Sequence, residues 1–190
     1  VPQFRKYGKA GFATPSGKVE LSSSILKDLG FDPLPYHRPA PAPSAEYPYL
    51  VFSGVREDPF FQTGQRNIGV LRRRQPAPEF FIHPEDAGRE GLVDGEWARL
   101  QTEYGHVHAK IKLQPGMRRG HLRVPHGWWY PETRGNVDLA GAFVSSDAVL
   151  TSDTDELIDY EQGIPHFRGY PGRIVACDPP AGMSATTLGE

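Results

Sequence analysis

The sequence has 190 residues, a length that fits one domain with extensions, and its formal net charge of −2 gives no global attraction to nucleic acid or to anionic membranes. The single cysteine, Cys177, excludes an internal disulfide framework and a cysteine-built metal or iron–sulfur site. No apolar run approaches the roughly 20 residues that a membrane-spanning helix needs, so we predict no direct membrane insertion.

Three segments are predicted in chain order. Residues 1–46 are interpreted as an extended lead-in and a proline-rich linker from a preceding domain, because the run Pro39-Ala40-Pro41-Ala42-Pro43 favours a semi-rigid connector. Residues 47–177 carry the alternating and apolar runs of a folded domain. Residues 178–190 are predicted to be a disordered tail.

The central segment predicts a mainly β fold. The 19 prolines and 21 glycines of the whole chain favour many turns over long helices. A helix signature, with Pro84 in the first turn and Gly91 at the end, follows the second strand. The pattern therefore predicts a barrel with a few short helices and strands near residues 47–52, 80–82, 96–103, 106–113, 121–124 and 173–176.

Donor-rich and aromatic residues recur where these elements end. They are Ser53 and Arg56, then Gln62, Arg66 and Asn67, then the run 126–129, Asn136, and Phe167 with Arg168. Loops on a rigid scaffold are where binding sites are built, and arginines with indole and phenyl rings suit a ligand that is both anionic and partly flat. The residues alone therefore predict a domain that cradles a large, anionic, partly aromatic ligand.

Other candidates are weaker. Arg72–Arg74 fits a solvated charge run better than a phosphate contact. His106 and His108 lie two apart on one strand, but no third ligand at a fixed spacing accompanies them. Hydrolase, phosphate-loop and zinc-protease motifs are absent from the sequence, so we predict no catalytic and no metal-ligating residue in this chain.

A set of short motifs resembles the C-terminal part of the dimethyl sulfoxide reductase family of molybdopterin oxidoreductases. The resemblance runs from about Phe12 to about Val175 and depends on the order and spacing of the motifs together. The motifs are residues 12–21 (FATPSGKVEL), 53–56 (SGVR), Arg66-Asn67 with Leu71-Arg72, 82–87 (IHPEDA) with Gly91 and Asp94-Gly95, Pro115-Gly116, and 126–131 (HGWWYP).

This resemblance implies a fold, a ligand and a set of contacts. The fold is a double-psi β-barrel with ligand-contacting loops, and the ligand is bis(molybdopterin guanine dinucleotide) carrying molybdenum or tungsten. The contacting residues would be Ser53, Gly54 and Arg56, then Gln62, Thr63, Arg66 and Asn67, then His126, Gly127, Trp128 and Trp129, and finally Asn136, Phe167 and Arg168.

Two details of this assignment are specific to the present sequence. Gln62 stands where many relatives carry a histidine; an amide still donates and accepts hydrogen bonds but does not titrate. Of the two neighbouring indoles, we expect Trp128 to face the ligand.

The resemblance also implies that the chain works as one domain of a larger oxidoreductase. The metal-ligating residue and the iron–sulfur cysteines would lie upstream, so we expect the isolated chain to be inactive and to carry no cofactor. Expected partners are the upstream domains, with an iron–sulfur electron-transfer subunit as a further one, and no nucleic acid. The parent would be bacterial or archaeal, and an upstream signal would decide between a cytoplasmic and an exported location.

Two alternative hypotheses place the chain in other functional classes. One is a stand-alone β-barrel for protein or nucleic-acid interaction, with Arg72–Arg74 and the aromatic run as its contact face. The other is a small decarboxylase that cleaves itself at a Gly-Ser bond; that dipeptide does not occur in the sequence, which argues strongly against it.

Overall fold

The computed structural model describes residues 4–37, 39, 41–133, 138–154, 157–159 and 163–181. The chain divides into two compact units, residues 1–39 and 40–190. The linker was predicted to end at residue 46, and the first strand of the second unit begins at Tyr49. Most of the predicted tail, residues 182–190, lies outside the described residues.

The first unit contains two short helices, α1 (Tyr7–Ala10) and α2 (Ser24–Asp28). Ser23 caps α2, since its side chain accepts a hydrogen bond from the Leu26 amide. Neither helix contains a buried residue.

The second unit is a closed barrel of six strands in the order β1-β5-β2-β4-β3-β8. The mainly β fold, a barrel with a few short helices, is confirmed. The barrel strands are β1 (Tyr49–Val55), β2 (Glu79–Ile82), β3 (Trp97–Gln101), β4 (His106–Leu113), β5 (His121–Pro125) and β8 (Arg168–Ala176). Between β5 and β8, the strands β6 (Ile158–Asp159) and β7 (Ile164–Pro165) pair as a small separate sheet.

Short helices fill the connections. They are α3 (Gly69–Arg72), α4 (Pro84–Arg89) and α5 (Ala142–Ser145), with 3₁₀ turns at Asp138–Gly141 and Asp147–Leu150. The helix predicted after the second strand is confirmed as α4. His83 caps it, because its Nδ1 accepts the Glu85 amide at 3.1 Å. No helix in the described part of the chain is long and apolar enough to cross a membrane.

Strand alternation builds the core. On β4, Val107, Ala109 and Ile111 are buried while the residues between them are not, as the period-two pattern predicts. The inward side chains of the other strands join them in one cluster. Phe60, Trp128 and Tyr130 form a second, smaller cluster outside the main core.

Two neighbouring residues of β8 test this core assignment. Ile174 is 1% exposed and Val175 is 41% exposed. Because truncating a well-packed side chain loses burial and leaves a cavity, Ile174→Ala should lower the free energy of unfolding by about 2–5 kcal/mol. Val175→Ala should change it by no more than about 0.5 kcal/mol. Urea unfolding measures both, and equal losses would contradict the packing described.

Candidate functional site

The ends of β1 and β5 meet at one end of the barrel. The two strands are parallel neighbours, and Val55 pairs with Pro125 where they finish. We call this end the barrel mouth. Since parallel strands deliver their following loops to the same edge, the segments 53–56 and 126–129 lie together there.

Asp147 ties these two segments to each other. Its side chain is 1% exposed and accepts three hydrogen bonds. The Gly54 amide donates to Oδ2 at 2.9 Å, the Gly127 amide donates to Oδ1 at 2.8 Å, and His126 Nδ1 lies 3.0 Å from Oδ2. A buried carboxylate needs donors of this kind, and here they come from the ends of β1 and β5.

Sequence reasoning missed Asp147. It belongs to the acidic and hydroxyl-rich stretch Ser145–Asp159, which fits a solvated loop by composition. One signal was present: Asp147 stands between the apolar residues Val144 and Leu150 rather than among the acids that follow. An isolated acid in an apolar setting is a candidate for burial with dedicated donors.

Arg66 is a second buried charge that binds the segment following β5. Its guanidinium lies over the rings of Phe60 and Trp128, at 4.7 and 4.3 Å from the ring centroids, and Nη2 donates to the His126 carbonyl at 2.7 Å. Burial, followed by repulsion from Arg72, lowers the pKa of Arg66 to about 10, so the group stays charged at neutral pH. Its Nε and Nη1 have no hydrogen-bond partner among the described residues.

The expected assignment of the two indoles is wrong. Trp128 is 0% exposed and packs in the second cluster between Arg66 and Arg72, so it cannot face a ligand at the mouth. Trp129 is the half-buried indole. Arg72 is also buried and bonds to Glu132 at 2.7 Å, so only Arg73 and Arg74 of the arginine run are solvated.

The loop around Thr63 is pinned against the loop that follows β5. Trp129 Nε1 donates to the Thr63 carbonyl at 2.6 Å. Gly127 has a φ of 55°, and a Cβ added there would overlap the Thr63 side chain. A glycine is therefore required twice over, by backbone conformation and by the close approach of the two loops.

The segment before β8 completes the mouth. The Phe167 carbonyl accepts from the Ser53 amide at 3.0 Å and from its hydroxyl at 3.1 Å. Arg168 follows as an exposed side chain. Ser53 itself is fully buried. Asn136, the remaining predicted contact, lies outside the described residues.

The predicted contacts thus separate by accessibility. Ser53, Arg66 and Trp128 are buried and build the mouth. Eight other predicted contacts have exposed or half-buried side chains, which are therefore open to a ligand. They are Arg56, Gln62, Thr63, Asn67, His126, Trp129, Phe167 and Arg168. Two guanidinium groups, two amides and three flat rings are the groups that bind phosphate oxygens and heterocycles. These residues fit an anionic ligand with flat rings.

Within the described ranges, no group of three or more His, Cys, Asp or Glu side chains is arranged for a metal ion. His106 and His108 contact each other edge to face, with ring centroids 5.4 Å apart. Burial and the neighbouring His106 lower the pKa of His108, as expected for a packed histidine.

A cleft of about 500 Å³ lies where β1 and β5 begin, at the other end of the barrel. Its acids are already paired. Asp86 accepts the Gly120 amide at 2.6 Å and bonds to Arg89, while Tyr49 donates to Glu90 at 2.6 Å. The motif 83–87 therefore has a structural role here, in capping α4 and joining it to the start of β5.

The chain is similar in sequence and in structure to known proteins. The sequence profile described as "Molydopterin dinucleotide binding domain" matches residues 50–159, more than half of the chain. The solved structure of acetylene hydratase from Pelobacter acetylenicus superimposes with a TM-score of 0.81 at 38% identity, covering 93% of this chain and 26% of that one.

Curated relatives are similar over comparable stretches. Acetylene hydratase of Syntrophotalea acetylenica is 42% identical over 168 residues, which cover 84% of this chain and 23% of that protein. Dopamine dehydroxylase of Eggerthella lenta is 27% identical over 186 residues, 90% of this chain and 17% of that protein. Dimethyl sulfoxide reductase DmsA of Escherichia coli is 30% identical over 145 residues, 67% and 17% respectively. This chain spans about a quarter or less of each.

Two glycines with similar backbone conformations test the close approach of the loops. Gly127 and Gly120 have φ angles of 55° and 75°, but an added Cβ at Gly120 would meet nothing within 4 Å. Both alanine substitutions should cost about 1 kcal/mol of stability for the left-handed backbone. Gly127→Ala should lose more, and should shift the fluorescence of the adjacent Trp129, because Thr63 must move. Urea unfolding with tryptophan detection measures both; equal effects would show that the loops do not touch.

Proposed function

This chain belongs to the molydopterin dinucleotide binding domain family, within the dimethyl sulfoxide reductase group of oxidoreductases, and we propose that its barrel mouth holds the guanine dinucleotide end of the cofactor. The family match supports a molybdopterin-type cofactor. The relatives show that the chain is homologous to the C-terminal part of larger molybdenum or tungsten oxidoreductases.

The convergence of four chain segments at the mouth carries this proposal. The segments that begin at residues 53 and 167 are hydrogen-bonded to each other, and so are the segments that begin at residues 62 and 126. Asp147 joins the two pairs through its bonds to Gly54 and Gly127. The four segments leave their polar and flat side chains accessible, and their buried members supply the support. A preorganised frame with accessible donors at its rim lowers the conformational entropy that is lost when a large cofactor binds.

Specific contacts follow from the chemistry of the accessible groups. Arg56 and Arg168 suit the pyrophosphate oxygens, because guanidinium groups bind them with paired hydrogen bonds. Gln62 and Asn67 suit the polar edges of guanine or pterin, since an amide both donates and accepts. Trp129 and Phe167 suit the faces of the flat rings. Asn136 remains a predicted contact.

When bound in the parent protein, the bis(molybdopterin guanine dinucleotide) would supply the redox-active molybdenum or tungsten centre. The residues of this chain would bind and orient its dinucleotide portion and would exclude water from it. We propose that the catalytic residues, the metal ligand and the substrate funnel belong to the rest of the polypeptide, and that an iron–sulfur subunit is a further partner.

The names of the relatives bear on how far this domain specifies the reaction. They describe a hydratase, a dehydroxylase and a dimethyl sulfoxide reductase. One domain type shared by such different activities carries the cofactor and leaves the choice of substrate to other parts of the protein. We therefore propose cofactor binding, and no particular substrate, for this chain.

The reading as a stand-alone interaction or nucleic-acid-binding barrel is not favoured. Its contact face required the arginine run 72–74 and the aromatic run after β5. Arg72 and Trp128 are both buried against each other. That face therefore loses one arginine and one indole, whereas the family match over residues 50–159 supports cofactor binding.

Guanosine diphosphate (GDP) is a simple probe of the proposed pocket. Titration of the 190-residue chain with GDP should quench the fluorescence of Trp129, more strongly than titration with ADP. Arg56→Ala should raise the dissociation constant about tenfold, since a charged hydrogen bond to phosphate is lost. Arg118→Ala is the matched control, because Arg118 is an exposed arginine next to Arg119 and the opposite cleft.

If GDP fails to change the fluorescence at millimolar concentration, or if both arginine variants bind GDP as the wild type does, the barrel mouth is not the nucleotide site.

A further inference from the structure

The segment His126–Gly127 is held between two buried side chains of opposite charge. Arg66 donates to the His126 carbonyl at 2.7 Å. Asp147 accepts the Gly127 amide at 2.8 Å and lies 3.0 Å from the His126 ring nitrogen Nδ1. Because both charges are buried, their hydrogen bonds are strong and directional, and together they hold the backbone and the ring of this segment.

Asp147 also determines which ring nitrogen of His126 is left free. A carboxylate only accepts hydrogen bonds, so Nδ1 carries the proton that points at Oδ2. The other nitrogen, Nε2, lies across the ring from Asp147. The His126 side chain keeps 32% of its surface exposed, so the imidazole is oriented from behind and accessible in front.

A third hydrogen bond, accepted by Asp147 from the Gly54 amide, extends the effect of this carboxylate to β1. The Gly54 amide donates to Oδ2 at 2.9 Å, at the point where the pairing of β1 with β5 shifts register between Phe52 and Val55. Such an irregularity removes the regular ladder at this place. The carboxylate supplies the missing constraint, so the backbone of Gly54 and that of Gly127 are aligned by the same group.

We propose that Asp147 is a positioning residue of the dinucleotide site: it aligns Gly54 with Gly127 and holds His126 so that Nε2 contacts the bound nucleotide. The inference rests on the proposed function, because it names the device that shapes the same site. Asp147 itself does not touch the ligand. Its two oxygens are occupied by the three donors, which also screen its charge from an anionic ligand.

Asp147→Asn tests the alignment without any ligand. The amide has the shape of the carboxylate, but its NH₂ group must face at least one of the three donors. In nuclear magnetic resonance (NMR) spectra of the 190-residue chain, the amide signals of Gly54 and Gly127 should both shift. The proton on His126 Nδ1 should lose its single, fixed position in long-range ¹H–¹⁵N spectra. Asp153→Asn, an exposed aspartate of the same loop, should change none of these signals.

His126→Asn tests the ligand contact with the alignment preserved. The asparagine NH₂ lies close to the position of Nδ1 and can still donate to Asp147, whereas the Nε2 atom is removed. The Gly54 and Gly127 amide signals should stay near their wild-type positions while the GDP dissociation constant rises about tenfold. His121→Asn, at the start of β5, should leave GDP binding unchanged. Asp147→Asn should also weaken GDP binding about tenfold, because the site is misaligned.

These results separate the inference from the function on which it rests. Unchanged Gly54 and Gly127 signals in Asp147→Asn would overturn the alignment, whatever GDP does. Wild-type GDP affinity in His126→Asn, together with weakened binding in Arg56→Ala, would overturn the Nε2 contact and leave the proposed function standing. Absence of GDP binding by the wild-type chain would refute the proposed function, and the contact with it, while the NMR comparison would still decide the role of Asp147.

Discussion

The geometry of the barrel mouth depends on a pair of buried, opposite charges that both hold the segment His126–Gly127. Arg66 holds the His126 carbonyl, and Asp147 holds the His126 ring and the Gly127 amide. Burying charges is costly unless each is fully bonded, so this pair is weak evidence for extra stability. The pair instead fixes the shape of the barrel mouth. The backbone at two strand ends has few conformations left, and the accessible side chains at the rim are presented in fixed places.

Packing supports this arrangement from below. Trp128 lies between the guanidinium groups of Arg66 and Arg72, at 4.3 and 4.7 Å. A fully buried indole between two cations gains from stacking and from the attraction of cations to its ring. It also keeps both arginines away from water, which lowers the pKa of Arg66 to about 10 yet leaves it charged at neutral pH. The aromatic run after β5 therefore has two parts: Trp128 belongs to the frame, and Trp129 faces the mouth.

Much of the fold could be predicted from the sequence, because period-two alternation on strands such as β4 and punctuation by glycine and proline are local signals. The segments that meet at the barrel mouth could be predicted to carry donors and rings, since these cluster after strands. The roles within them could not. Burial of Ser53, Arg66 and Trp128 is decided by neighbours far away in the chain, and no local pattern reports it. Asp147 was missed for the same reason: its three donors come from residues 54, 126 and 127, which only the parallel pairing of β1 and β5 brings to one place.

We propose that one end of the barrel, and not the other, binds the nucleotide portion of the cofactor. NMR mapping of amide shifts on adding GDP to the 190-residue chain distinguishes the two ends. The largest changes should fall on Gly54, Thr63, Gly127 and Phe167, which belong to four separate segments of the sequence and to one place in the structure. Largest changes at Tyr49 and Gly120, which line the cleft where β1 and β5 begin, would contradict it.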